Sequence, residues 1–492
     1  MQYTLSYNQP EKHYIAIEML VENIDAAAID VQLPAWRPGR YELANFAKNM
    51  TRLFAFDLQG NQVQINKLKK DRWQIETAGN TSIIIKYTYY AQQMDAGGSW
   101  LDEKLLYVNF INCMLYVEGR LSEECHVTLV LLADYQIACG LEEKEKHVLY
   151  AKDYYQLVDS PMIASNSLVH KTYQIAATTF HIWVQGEADS LNWPQIITDF
   201  EKFSAVQMAM MGGFPCQDYH FLLHWLPFQH YHGVEHQNST VITLGPASQA
   251  ATLYPELLGI SSHELFHTWN IIRIRPAELL PYDFTRENYF TTGFVAEGIT
   301  TYYGDLFLAR AGVFSIEAYF AELSQILNRH FMVANQASLS LLESSFDLWL
   351  DGYTAGAPGR KVSIYHKGAL AALILDLELR QLTQNTRSLD DVMRYLWQHF
   401  GPMEKGYTLT DYKKAVATVA GKDYTQYFEE CIEGTSSLEG RLKQALSYVG
   451  CVLQTQPNEQ NPGNLIVQVV LNPNRGAEAA IHLQNWIGIK GR

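Results

Sequence analysis

No stretch of the chain reaches the ~18 to 20 apolar residues that a membrane-crossing helix needs, so no membrane partner is expected. The N-terminus, MQYTLSYNQPEKHY, lacks a basic segment followed by an apolar one and does not read as a secretory signal. Positive charge is scarce: 37 Lys and Arg face 52 Asp and Glu, a formal net charge of -15. A balance of that sign argues against nucleic acid, which is bound through a basic face, and gives no help at an anionic membrane surface. The six cysteines are scattered at 113, 125, 139, 216, 431 and 451, with no CxxC pair. That spacing suggests neither a zinc ribbon nor a disulfide framework. Reduced thiols in the cytoplasm are the simplest reading, and a cytoplasmic location is expected. P-loop, GxGxxG and GxSxG patterns are absent too, which removes support for nucleotide binding and for a serine-hydrolase elbow.

What is present is an ordinary globular composition, 48% hydrophobic and 18% charged over 492 residues. That length exceeds one core and predicts two or three domains. Short alternating runs such as YIAIEMLVE, TSIIIKYTYYA and HVTLVLLA fill residues 1 to about 170, separated by turn-forming residues. They predict an N-terminal β domain, a sandwich or open antiparallel sheet. TTFHIWVQGEAD closes this domain or begins the next. From about 190 a helical period takes over, beginning with WPQIITDFEKFSAVQMAMMGGF, which is stopped by Gly212 and Gly213. After a strand in DYHFLLHWLP, helices dominate from 255 to about 445. The expected fold class is therefore α+β and multidomain. It comprises an N-terminal β-sandwich-like domain (1–170), a mainly α-helical catalytic domain with a small β element at its start (171–445), and a short C-terminal segment (446–492).

The chemistry concentrates in ISSHELFHTWN. His263 and His267 lie four apart, so on a helix they share one face and can bind one Zn²⁺. Glu264, beside them, is placed to take a proton from zinc-bound water. Such a pattern also arises as two surface histidines on a helix. A catalytic zinc takes three protein ligands and an open position. The candidate third ligand is Glu297 in FVAEGITTYYGD, 30 residues after His267 and on a second predicted helix. Its bland alternative is a helix N-terminal carboxylate favoured by the macrodipole. Thr301 and Asp305, one and two turns further along, are candidates to orient a ligand imidazole. Tyr365, in KVSIYHKGALAAL, precedes a strongly apolar helix at a place suited to a cleft edge, though it is one of 30 tyrosines. HFLLH at 220–224 also spaces two histidines by four. On a strand these lie ~13 Å apart, too far for one metal, and they lack the acid. HYHGVEH at 230–236 offers His230, His232 and His236 to a second metal, but HxH on a strand is as easily a rim of polar contacts.

With these residues in place the chain resembles the glycyl aminopeptidase family of gluzincin metallopeptidases, relatives of the aminopeptidase N family. LPAWRPGRYELANFAKN, HGVEHQNS, SHELFHTWN, VAEGITTYY and YHKGA resemble that family's segments in its order. The resemblance implies a thermolysin-like catalytic domain with His263, His267 and Glu297 as zinc ligands. It makes Glu264 the general base and Tyr365 the donor to the tetrahedral oxyanion. Glu235 would hold the substrate's free α-amino group, with Gly233 and His236 beside it in the substrate cleft. Val234 stands where the family more often has Leu, and His366 replaces an acid common after the tyrosine. The resemblance further implies removal of small N-terminal residues, glycine or alanine, from peptides with a free N-terminus. The family's C-terminal PDZ-like domain is expected to be missing, with residues 446–492 at most a remnant of one. Two rivals remain at this stage: a zinc endopeptidase on the same site and a peptide-binding protein with a vestigial site. A structural zinc protein would need a fourth ligand, most often cysteine, and none stands near either helix.

Overall fold

The computed structural model describes residues 1–332, 338–354, 356–402, 405–457 and 465–488. The chain forms two compact units. One takes in residues 1–191, 216–253 and 283–287, the other residues 192–215, 254–282 and 288–492. This grouping is discontinuous in sequence, whereas the sequence reading divides the chain at 170 and 445.

The first unit is strand-rich. A seven-stranded sheet runs from Glu142–Glu145 through Val148–Ala151, Cys125–Leu129, Gln2–Ser6, Tyr14–Val21 and Ile83–Tyr90 to Phe54–Phe56. Its pairings are antiparallel except for Gln2–Ser6 against Cys125–Leu129. In Tyr14–Val21 the residues Ile15, Ile17, Met19 and Val21 are buried while their neighbours are not, the period of two that a half-buried strand requires. Two four-stranded sheets accompany it. A five-stranded mixed sheet follows in the order Val169–Ile175, Thr178–Gly186, Asp218–Trp225, Ser239–Gly245, His230–Glu235. Its strands Asp218–Trp225 and Ser239–Gly245 pair in parallel and are buried almost throughout, as strands covered on both faces are.

The second unit is helical. Trp193–Met211 starts with Pro194 in its first turn and ends at Gly212, as its sequence predicts. Three elements carry the residues singled out above: the histidine helix Tyr254–Phe266, the glutamate helix Ile299–Arg310 with the π-helical turn Phe294–Gly298 before it, and the tyrosine helix His366–Leu382. A buried charge network ties the glutamate and tyrosine helices to the end of the chain. Asp376 accepts hydrogen bonds from Tyr302 Oη (2.5 Å), Arg380 Nε (3.0 Å) and the Leu389 amide (3.0 Å). Arg310 donates to both oxygens of Asp390 at 3.0 Å. Trp486, on the last helix Ala477–Ile487, is fully buried and donates from Nε1 to Tyr302 Oη at 2.8 Å.

The C-terminal stretch thus packs on the helical unit. Its hairpin, Cys451–Pro457 with Leu465–Leu471, is tied to the helix Ile316–Phe331. Asn328 both donates to the Val467 carbonyl (2.9 Å) and accepts from the Val467 amide (2.8 Å). The polar stretch 458–464 and residues 489–492 of the expected remnant lie outside the described residues.

Candidate active site

The histidine helix is regular because its inner face is apolar: Leu257, Leu258, Ile260, Leu265 and Phe266 are buried. It ends at Phe266, so His267 sits in the turn that follows. The His267 amide still donates to the His263 carbonyl at 3.3 Å, which keeps the two imidazoles one turn apart on one face. Their Nε2 atoms are 3.0 Å apart. Glu297 reaches them from the π-helical turn, its Oε2 lying 3.4 Å from His267 Nε2 and 3.8 Å from His263 Nε2. The acid therefore stands on a turn wider than the plain helix its sequence predicts. Such turns are frequent at functional sites.

These three donors converge within 4.8 Å of one another. A tetrahedral ion with bonds of about 2.1 Å has donors about 3.4 Å apart, and the three separations straddle that value. The electrostatics agree with a metal-holding role. Burial lowers the His263 imidazole below its ordinary range, favouring the neutral form that offers a lone pair. Burial alone would raise the Glu297 carboxyl, but His267 and His263 outweigh it and hold it at about 2, fully ionised near neutral pH. His267 Nδ1 donates to the main-chain carbonyl of Asn270 at 3.0 Å, which turns Nε2 toward Glu297.

Glu264 is buried, 6% exposed, on the same helix between the two histidines. Tyr365 stands at the N-cap position of the tyrosine helix and is half-buried. A contact without slack sets its backbone. A Cβ on Gly298 would lie 2.6 Å from Gly368 Cα and 2.8 Å from the Ile364 carbonyl. One on Gly368 would lie 2.9 Å from Gly298 Cα. Gly298 follows Glu297 and Ile364 precedes Tyr365, so the backbone touch fixes the two side chains' elements against each other.

Asp305, a candidate to orient a ligand, faces Gly259, one turn before His263. Burial pushes its carboxyl up from 3.8 to about 7, and the charge of Glu322 adds to this. The folded state therefore holds a proton that the unfolded chain releases between pH ~4 and ~7. Stability from this group is full below pH ~4 and falls as pH rises through 7. Asp305→Asn should be close to wild type at pH 4 and more stable at pH 8, as read from unfolding midpoints. A difference that does not change with pH would contradict this.

Glu235, Gly233 and His236 belong to the strand-rich unit. Gly233 pairs with Ile242 inside the strand His230–Glu235, which Glu235 ends. Glu235 is 7% exposed and presses against Gly39, where a Cβ would come within 2.8 Å of its Oε2. Gly39 also has φ +77°, so glycine is required there twice over. That gives the segment LPAWRPGRY a physical task, seating Glu235. His236 is engaged: its Nδ1 donates to Asp159 Oδ1 at 3.0 Å, and the Gln237 amide donates to Asp159 Oδ2 at 2.9 Å.

His220 and His224, the other pair spaced by four, lie in the strand Asp218–Trp225. His220 Nδ1 accepts from Trp183 Nε1 at 3.2 Å, and His224 packs on Tyr107. Burial pushes both rings down to about 3. His230 and His232 take part in no converging set of three donors among the described residues.

Comparison with known proteins points the same way. Residues 2–166 match the family model described as the Peptidase M61 N-terminal domain, and residues 256–371 match that of the M61 glycyl aminopeptidase. Together these cover more than half of the chain. No curated protein matches. A crystal structure of an aminopeptidase N family protein from Idiomarina loihiensis is 27% identical with a TM-score of 0.88, the alignment covering 94% of this chain and 80% of that one. The matched segments include His263, Glu264, His267, the π-helical turn and Tyr365, and this chain belongs to the M61 glycyl aminopeptidase family and is a peptidase.

Proposed function

We propose that this chain is a zinc aminopeptidase that removes small N-terminal residues, glycine or alanine, from peptides. The observation that carries the reading is the convergence of His263, His267 and Glu297 within 4.8 Å, with Glu264 on the same helix. Two imidazoles and one carboxylate are the donor set of a catalytic zinc rather than a structural one. Zinc held there would supply a Lewis acid that polarises the scissile carbonyl and makes water acidic near neutral pH.

The chain's own residues do the rest. Glu264 takes the proton of the attacking water and returns it to the departing amine. The Tyr365 hydroxyl donates a hydrogen bond to the carbonyl oxygen as its negative charge grows, where a fixed donor counts most. Glu235 pairs with the substrate's α-ammonium, a charge-assisted bond that selects free N-termini.

Hydrolysis of glycyl-p-nitroanilide beside its N-acetyl form tests the reading. The zinc-loaded protein should cleave only the free amine. Glu235→Gln should lose about 10- to 100-fold in kcat/KM on it, the worth of one hydrogen bond to a charged group. Equal cleavage of both forms would make the enzyme an endopeptidase. Cleavage of neither, with zinc bound, would count against the proposal altogether.

A further inference from the structure

Asn270 is fully buried, three residues past His267, and bonds to both ligand-bearing elements. Its main-chain carbonyl accepts from His267 Nδ1 at 3.0 Å. Its side-chain Nδ2 donates to the Val295 carbonyl at 2.9 Å, the Ala296 carbonyl at 3.1 Å and Thr300 Oγ1 at 2.9 Å. Thr300 Oγ1 in turn donates to the Ala296 carbonyl at 2.7 Å. Val295 and Ala296 are the two residues before Glu297, inside the π-helical turn.

A π-helical turn closes its hydrogen bonds one residue later than an α-helix does and displaces carbonyls from their usual partners. Here an amide from outside the helix bonds two of those carbonyls. Were the turn to relax to α-helical winding, one residue would be taken up. Glu297 would then swing by about 100° around the axis relative to the helix that follows. The imidazole side is fixed by the same residue, because a ring whose Nδ1–H is spent on a carbonyl can turn only a little about its bond.

We propose that Asn270 is a positioning residue that sets the direction of two of the three donors at once, His267 through its carbonyl and Glu297 through its amide. This rests on the reading of His263, His267 and Glu297 as a metal site. Asn270 touches neither substrate nor metal in this role. The sequence places it in HTWN, where nothing in composition or spacing marks it out.

The test uses the full chain and reads metal binding directly. Zinc affinity is measured by competition with a chromophoric chelator, and the visible spectrum of the cobalt-substituted protein reports the donor geometry. Asn270→Ala is expected to weaken zinc by about 10- to 100-fold, the usual cost of losing an outer partner of a ligand, and to shift the cobalt bands. Thr300→Val, close to isosteric, removes the two hydroxyl bonds of the same clamp but leaves the Asn270 amide on Val295 and Ala296, and should move both readouts in the same direction by less. Asn328→Ala is the control: its amide also holds backbone, donating to the Ser324 and Val467 carbonyls at 2.7 and 2.9 Å, but far along the chain from either donor element. It should lower the unfolding midpoint and leave zinc affinity and the cobalt spectrum as in wild type.

Wild-type affinity and spectrum in both Asn270→Ala and Thr300→Val would overturn the inference. So would an equal loss in Asn328→Ala, which would trace the effect to general destabilisation. A wild-type protein that binds neither metal would overturn the underlying metal-site reading, an outcome visible before any variant is made.

Discussion

Glu264→Gln is expected to lower kcat/KM on a glycyl anilide by about 10²- to 10⁴-fold, the range that a positioned general base contributes. Zinc content and unfolding midpoint should stay as in wild type. The substitution is nearly isosteric at a site only 6% exposed. The carboxamide keeps the shape and polarity of the side chain and loses only its ability to take a proton. Glu264 lies between the two histidines in sequence but is not one of the converging set His263, His267 and Glu297. The variant therefore separates chemistry from metal binding. A Glu264→Gln enzyme with wild-type kcat/KM would remove the base role from this residue. One that loses its zinc would make Glu264 a ligand instead.

The second large effect concerns stability. Asp376→Ala is expected to cost about 3 to 5 kcal/mol, the price of breaking a buried ion pair from one side. Asp376 is fully buried and accepts from Tyr302, Arg380 and the Leu389 amide. Removing it leaves the Arg380 guanidinium, 5% exposed, without that carboxylate. It also frees the Tyr302 hydroxyl that accepts from Trp486. The loss should appear as a lower unfolding midpoint and as faster protease cleavage near the last helix, which Trp486 anchors. Cleavage there at the wild-type rate would mean that apolar packing of Trp486 alone holds the tail.

Much of this was legible in the sequence for definite physical reasons. Strands such as Tyr14–Val21 declare themselves because one buried face imposes a period of two. The helix Trp193–Met211 declares itself through Pro194 and Gly212. The histidine pair needs only a spacing of four on an apolar helix. Other features depend on backbone that no local pattern encodes. The π-helical winding under Glu297 adds one residue to a turn whose composition is that of an α-helix. The outer partner of His267 is the main-chain carbonyl of Asn270, a group that every residue possesses, so no side-chain type could announce it. Gly39 lies almost 200 positions before the Glu235 it seats. A contact of that separation shows in the sequence only as a glycine in a PGR turn.

The backbone touch between Gly298 and Gly368 bounds how this enzyme can be re-engineered. Two main chains already in van der Waals contact cannot be brought closer, and any side chain added at either position would pry them apart. A library gains nothing by randomising these two codons, since nearly every member would displace the backbone beside Glu297 and Tyr365. Diversity belongs instead in side chains that face the substrate, with both glycines left as written.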